Sequence, residues 1–376
     1  MGFKIVVDKD IPYIKGVFEP FATVVYEKGI NINNDIVKDA DALVIRTRTK
    51  CNKNLLDNSG VKFIGTATIG TDHIDIDYCN TNDIYFTNAI GCNSGSVYQY
   101  VTRALFYLSL KFNFNLRDKV IGIVGVGNIG KKIEAFCKIL GITCLCCDPP
   151  RERNEVETGF VSLETIQKKA DIITLHTPLI KEGEDKTFHL INSQFLSGLT
   201  KEAIVINTSR GEVVDTECIL KSTITRGVSA VVLDVWENEP LINKELLNKT
   251  IIATPHIAGY SADGKAKGTE MIVRELAHFF GLPLTNWEPK ELLSVQNQEE
   301  IKLNNGDDLF SKLNAAISHT YNIELESNAL KRNPDRFEQF RAEYAVRREF
   351  SYYKISGLHL NKEEKEVFKK VGFTVE

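Results

Sequence analysis

The sequence predicts an α/β protein built on doubly wound parallel sheets. Three observations lead there. Short apolar runs alternate with longer helical patterns over most of the 376 residues. Some of these runs, IGIVG at 121–125 and AIVIN at 203–207, are apolar throughout. Strands of that kind are covered on both faces and belong to parallel sheets with helices on either side. Finally, a glycine-rich turn, GVGNIG at 125–130, sits between such a strand and a helical pattern, which is the arrangement of a doubly wound fold.

Candidate strands lie at 4–7, 42–46, 63–65, 120–125, 143–147, 171–175, 203–207, 229–233 and 251–253. They fall into two units. Residues 1 to about 95 form the first, and a helix over 94–110 leads into the second. The second starts near Val120 and ends around His256. A further helix over 262–280 follows. From about Trp287 the character changes: ELLSVQNQEEIKLNNGDD at 291–308 is polar and irregular. An amphipathic piece at 309–321 and a charged helix at 335–348 come next, and together these read as a small third module. In that last helix Phe337, Phe340 and Tyr344 fall at i, i+3 and i+7, an aromatic stripe on one face.

Composition narrows the function. Hydrophobic residues make up 43% and charged residues 26%, so the chain has enough apolar surface for real cores. The formal net charge of -4 leaves no footprint for nucleic acid or an anionic membrane. No apolar run approaches a membrane span, and MGFKIVVDKD lacks the form of a signal peptide. A soluble cytoplasmic protein is expected. The eight cysteines are scattered except for Cys144, Cys146 and Cys147, whose spacing matches no common zinc pattern. They read as small buried hydrophobes, and no metal is expected.

The glycine turn carries the first functional signal. Gly125 permits a tight turn, Gly127 lets backbone approach a pyrophosphate, and Gly130 lets helix and strand pack closely. The helix that follows offers free N–H groups to phosphates. Asp148 closes the next strand, at the end of TCLCCD. A carboxylate there accepts both ribose hydroxyls and repels a 2′-phosphate, so NAD is favoured over NADP.

Three later segments carry the chemistry: INTSRGEVVD at 206–215, LDVWENEP at 233–240 and TPHIAGYS at 254–261. Each follows a predicted parallel strand, so all three emerge at the carboxyl edge of the sheet, where ligands bind. Removing hydride from a carbinol carbon requires a base for the hydroxyl proton, and His256 suits that. Glu239 would hold the ring and stabilise the imidazolium. Arg210 offers a planar fork for a substrate carboxylate. Singly these are a structural histidine, a loop acid and a surface arginine; their joint placement on strand-end loops favours catalysis.

At these residues the chain resembles the D-isomer-specific 2-hydroxyacid dehydrogenases. The likeness covers about residues 1–285 and rests on GVGNIG, Asp148, HTPL at 176–179, NTSRGEVVD, LDVWENEP and TPHIAGYS. It implies a flavodoxin-like substrate domain (1–95 and 259–285), a Rossmann-type NAD domain (96–258) and a small α+β dimerisation module (286–376). It also implies roles. Arg210, Glu239 and His256 would be catalytic. Gly125, Gly127, Asn128, Ile129, Gly130, Asp148, Thr177, Thr208, Ser209, Arg210, Asp234 and Gly259 would line the NAD site. Arg46, Thr47, Thr68 and Tyr260 would meet substrate. Thr47 stands where many relatives carry Ser, which keeps the hydroxyl.

RTRTK at 46–50, GTATIGTDHID at 65–75, the Tyr260 that follows HIAG and the YAVRREFS at 344–351 are similar to one branch of that family, whose substrate is phosphorylated. The implied substrate is a small phosphorylated 2-hydroxy acid and the implied assembly a homodimer. Arg46 and Arg48, at the end of a first-unit strand, are candidates for the phosphate or an ordinary surface pair. Arg347 or Arg348, at the end of the charged helix, is expected to reach the partner subunit's cleft and add to that charge. The alternatives are a phosphoglycerate- or hydroxypyruvate-type dehydrogenase and a non-catalytic NAD-sensing protein. Intact Arg210, Glu239 and His256 count against the last.

Overall fold

The computed structural model describes residues 2–156, 159–225, 227–289, 298–304, 308–345, 347–356 and 360–376. They form two compact units, 1–93 with 261–297 and 94–260 with 298–376. Much of the polar stretch read at 291–308 lies outside the described residues.

In the first unit, β1 (Lys4–Asp8), β2 (Thr23–Glu27), β3 (Ala42–Ile45), β4 (Phe63–Thr66) and β5 (Tyr85–Asn88) form one sheet in the order β2-β1-β3-β4-β5. All its pairings are parallel. This is the flavodoxin-like order. The central strands β3 and β4 are buried at every residue, and that burial explains their largely apolar sequences. The edge strands β2 and β5 are half-buried and mix polar with apolar side chains; neither was read from the sequence. The helix Ala262–Phe280, capped by the Ser261 side chain on the Gly264 N–H, packs close against β4. A Cβ on Gly65 would lie 2.5 Å from Ile272.

The second unit holds β6 (Val120–Val124), β7 (Thr143–Cys147), β8 (Ile172–Leu175), β9 (Ala203–Asn207), β10 (Val228–Leu233) and β11 (Ile252–Ala253). Their order is β11-β10-β9-β8-β6-β7, parallel throughout. Strands are added on one side of β6 and then on the other, so the switch point lies between the carboxyl ends of β6 and β8. Cys146 and Cys147 are buried and Cys144 half-buried on β7. Among the described residues no group of three His, Cys, Asp or Glu side chains could hold a metal ion. No described helix is long and apolar enough to cross a membrane.

Residues from 298 onward pack within this second unit. They contribute β12 (Glu299–Lys302), β13 (Tyr353–Ser356) and β14 (Thr374–Val375), a parallel sheet in that order. The helix Ile323–Arg332 covers the edge strand β11: the Ala253 N–H donates to Ser327 Oγ at 3.0 Å, and Lys331 donates to the Thr250 carbonyl. An otherwise open sheet edge is thereby closed.

The charged helix read at 335–348 is much shorter. A 3-10 turn, Pro334–Arg336, leads into a helix of six residues, Phe337–Ala342. Phe337 and Phe340 pack into the core of their own chain, while Tyr344 lies beyond the helix, so the three aromatics do not form one helical stripe. Tertiary contacts explain the early end. The Tyr344 ring meets the Tyr260 ring edge-on, centroids 5.9 Å apart, and Arg347 is drawn into a buried polar network described below. These contacts override a sequence of good helix formers.

Candidate active site

At the carboxyl end of β6 the backbone turns through Gly125, with φ +86°. A Cβ there would meet the His176 carbonyl at 2.7 Å, and a Cβ on Gly130 would meet the Gly125 carbonyl at 2.1 Å. Gly127 differs: a Cβ there would find nothing within 4 Å. Two glycines are thus required by close packing, and the middle one leaves open space where a pyrophosphate can approach. The helix Gly130–Leu140 begins without a side-chain cap, so no side chain competes with an anion for its positive end. At the opposite side of the switch point, Thr177 Oγ1 is buried without a hydrogen-bond partner. Such a hydroxyl is costly unless a ligand completes it. These three features fit a dinucleotide.

Asp148 follows β7. Its Oδ2 accepts the Val126 N–H at 2.7 Å, and its Oδ1 accepts the Arg151 N–H at 3.2 Å. The carboxylate therefore ties the glycine turn to the end of β7 and keeps lone pairs for ribose hydroxyls. His176 donates to or accepts from Thr174 Oγ1 at 2.9 Å and Thr208 Oγ1 at 3.4 Å. Burial pushes its imidazole down to about 3, so it stays neutral at physiological pH.

The three catalytic candidates sit on adjoining loops. After β9, the fully buried Asn207 accepts the Ser209 N–H at 3.0 Å and donates to the Arg210 carbonyl at 2.8 Å. Arg210 Nη1 donates to the Ser209 carbonyl at 2.8 Å. A Cβ on Gly211 would lie 2.0 Å from the Trp236 carbonyl carbon, so this glycine lets the Arg210 loop press against the loop after β10. On that loop Glu239 divides its oxygens. Oε1 accepts the Trp236 N–H at 2.9 Å, and Oε2 meets His256 Nδ1 at 2.8 Å. The pair is half-buried, with side chains 19% and 33% exposed. Nδ1 held by the carboxylate leaves Nε2 as the working nitrogen.

His256 itself has φ +57°, a left-handed conformation that costs on the order of 1–3 kcal/mol for a non-glycine residue. Buried groups hold it there. The His256 N–H donates to the Asp234 carbonyl at 2.7 Å. The Asp234 carboxylate, 1% exposed, accepts the N–H groups of Ile257 and Ala258 at 2.8 and 2.9 Å and the Thr254 hydroxyl at 2.7 Å. The Asp234 side chain thereby fixes the histidine segment. From the other side Arg347 donates to the Ala258 carbonyl at 2.6 Å and the Ile257 carbonyl at 3.3 Å. Its guanidinium lies 4.3 Å from the centroid of the Tyr321 ring. Arg347 is 6% exposed, so it serves its own chain, and the expectation that it reaches a partner's cleft is corrected. Arg348 lies over the Tyr352 ring at 4.0 Å.

Gly259 and Tyr260 complete the second unit's edge. The first unit presents Arg46, Thr47 and Thr68 at its own carboxyl edge. Arg46, just past β3, donates to the Asp10 carbonyl at 3.3 Å, bridging the ends of β1 and β3 at that sheet's switch point. Thr47 lines a cavity of about 490 Å³ with Lys50, Asn52, Asp72 and His73. Thr68 is fixed by the buried Thr66, 2.8 Å away, which also meets His73 Nε2 at 3.2 Å. Burial lowers the His73 pKa. Sequence reading missed Asn207 and His73 and gave Arg347 a different role. GTDHID did contain His73, but only the fold shows what it touches.

Residues 102–258 match the family described as D-isomer specific 2-hydroxyacid dehydrogenase, NAD binding domain, and residues 292–372 match a domain of unknown function. The erythronate-4-phosphate dehydrogenase of Bacteroides fragilis is 47% identical over 358 residues, spanning 94% of this chain and 99% of its own. That of Bacteroides thetaiotaomicron is 44% identical over 361 residues, with the same 94% and 99% coverage. Among solved structures, the NAD+-bound 3-phosphoglycerate dehydrogenase of Entamoeba histolytica aligns with a TM-score of 0.62 at 25% identity, over 77% of this chain and 98% of its own. The D-lactate dehydrogenase of Aquifex aeolicus, solved with NAD and lactic acid, aligns with a TM-score of 0.58 at 24% identity, over 74% of this chain and 95% of its own. The nucleotide-binding sheet and the family match together define an NAD-dependent dehydrogenase, with NAD as its cofactor. The chain belongs to the D-isomer-specific 2-hydroxyacid dehydrogenases, and the relatives it matches almost end to end are named erythronate-4-phosphate dehydrogenase.

Proposed function

We propose that this protein oxidises 4-phospho-D-erythronate to 3-hydroxy-2-oxo-4-phosphooxybutanoate, a step in pyridoxine 5′-phosphate synthesis, and that it works as a cytoplasmic homodimer. The observation that carries the chemistry is the Glu239–His256 contact of 2.8 Å, held at the same sheet edge as Arg210 and the open glycine turn. The names of the relatives support the substrate.

NAD, when bound, accepts the hydride from C2. The protein's own groups do the rest. His256 Nε2 takes the C2 hydroxyl proton as the C–H bond breaks, leaving a carbonyl at C2. Glu239 offsets the charge of the resulting imidazolium and keeps the ring in place. Arg210 holds the C1 carboxylate in a planar pairing, which fixes the face that C2 presents. Gly125, Gly127, Asn128, Ile129, Gly130, Asp148, Thr177, Thr208, Ser209, Arg210, Asp234 and Gly259 line the dinucleotide cradle. Thr47, Thr68 and Tyr260 meet the substrate, with Arg46 toward its phosphate. The three-part division at 95/96, 258/259 and 285/286, with the last part as the dimer interface, is kept as part of this reading.

The test is a screen by NADH absorbance with 4-phosphoerythronate, 3-phosphoglycerate and D-lactate. The proposal requires 4-phosphoerythronate to give the highest kcat/KM. A higher value with either of the others overturns the substrate assignment and leaves the reaction type standing.

A further inference from the structure

The proposed substrate has two anionic ends, a carboxylate on C1 and a phosphate on C4. Arg210 answers the first. The second unit brings another arginine to the same place, from the C-terminal module. Arg341 lies in the helix Phe337–Ala342. Its Nη2 meets Tyr260 Oη at 3.4 Å, and its guanidinium carbon lies 5.9 Å from the centroid of that ring. Glu239 is among the anions that raise its pKa, though burial acts in the opposite sense. It is therefore close to both a candidate substrate residue and the partner of the catalytic histidine.

The bonding of Arg341 is incomplete in a way that points to a ligand. Its Nη1 meets Glu338 Oε1 at 3.1 Å. Its contact with Tyr260 is long for a hydrogen bond. Its Nε is buried without a hydrogen-bond partner. A guanidinium has five N–H donors in a fixed fork, and a partly desolvated one with unused donors suits a phosphoryl group, which accepts two in parallel. Its side chain is still 20% exposed, so an anion can reach it. Arg347 also has Nε and Nη1 buried without partners, but it is only 6% exposed and its Nη2 already serves the carbonyls of Ile257 and Ala258.

We propose that Arg341 is a specificity-determining residue that binds the phosphate end of the substrate within its own chain. This rests on the function proposed above. It gives the C-terminal module a direct part in substrate choice, besides any part in assembly.

The experiment uses the full-length NAD-loaded protein and the variants Arg341→Ala and Arg341→Lys. Calorimetric titration with inorganic phosphate should show affinity falling about tenfold in Arg341→Ala, the size of one charge-assisted pairing, and recovering in part in Arg341→Lys. With substrate, Arg341→Ala should raise KM for 4-phosphoerythronate by about tenfold and leave kcat/KM for unphosphorylated D-erythronate within about twofold. Unchanged phosphate affinity, or equal losses on both substrates, would mean that Arg341 only braces Tyr260, and the inference would be overturned. A wild-type protein inactive on 4-phosphoerythronate would sink the function reading instead, and the phosphate titration would still decide the role of Arg341.

Discussion

The two parallel sheets each change direction beside their first strand, yet their carboxyl edges are built differently. In the second unit the edge is braced from beneath. Buried Asn207 shapes the Arg210 loop, Trp236 anchors Glu239, and Asp234 and Arg347 grip the backbone on either side of the His256 segment. In the first unit the edge is looser. Thr47 and Arg48 are exposed, and Arg46 is tied by one long contact to a carbonyl. Groups that transfer protons need positions fixed to a fraction of an ångström. Groups that collect a substrate from solvent sit on exposed loops. The difference between the edges matches that division of labour.

The strongest way to break the comparison is at the histidine. His256→Ala should lower kcat by about a hundredfold or more, as loss of a general base does, with NAD affinity unchanged by fluorescence titration. In Glu239→Gln the imidazolium loses the charge that offsets it, so kcat should fall by about tenfold or more with NAD affinity unchanged. A variant that turns over normally would count against the pair.

The bracing is tested next. Arg347→Met removes a buried cation that satisfies two carbonyls and faces Glu326, whose pKa burial raises. Breaking a buried charged network costs about 3–5 kcal/mol, so chemical denaturation should show a loss of that order. If stability holds within about 0.5 kcal/mol, the range of ordinary surface substitutions, Arg347 is not a brace.

Acid should probe the same edge. His176, pushed down to about 3 by burial, is neutral when folded, whereas an unfolded histidine protonates below about 6.5. The unfolded state therefore binds more protons between those values, and stability falls as pH drops through that window. At pH 5 the loss from this group is about 2 kcal/mol. His176→Asn should flatten that part of the stability curve; an unchanged slope would place the acid sensitivity elsewhere. The smallest effect is expected at Asp148. Asp148→Ala should narrow the preference for NAD over NADP by about tenfold, the value of lost ribose bonds and lost repulsion. A constant ratio would remove Asp148 from the ribose site.

These regions also differ in how readable they were. The central strands declared themselves because burial on both faces leaves few polar residues in them. Edge strands β2 and β5 carry half-buried, mixed sequences and were missed. So was β12, EEIK, with a single buried residue among four. The helix Ala262–Phe280 was legible to both ends because a serine cap and a glycine stop bracket it. The helix at Phe337–Ala342 was overextended because its true end is set by distant partners. In the site, the glycine turn and the Arg–Glu–His set were visible as residue types on strand-end loops. The duties of Asp234 and Arg347 were not, since Arg347 meets a carbonyl 89 residues away in sequence, and nothing local records such a contact.

The central claim is hydride loss from C2 of 4-phosphoerythronate to NAD, assisted by the paired histidine. Its most direct test is turnover of 4-phospho-D-erythronate carrying deuterium at C2, with mass analysis of the reduced cofactor. The account predicts one deuterium in each NADH formed by the wild-type protein and a rate at least about a hundredfold lower in His256→Ala. NADH without deuterium, or no reduction of NAD with this substrate, would contradict it.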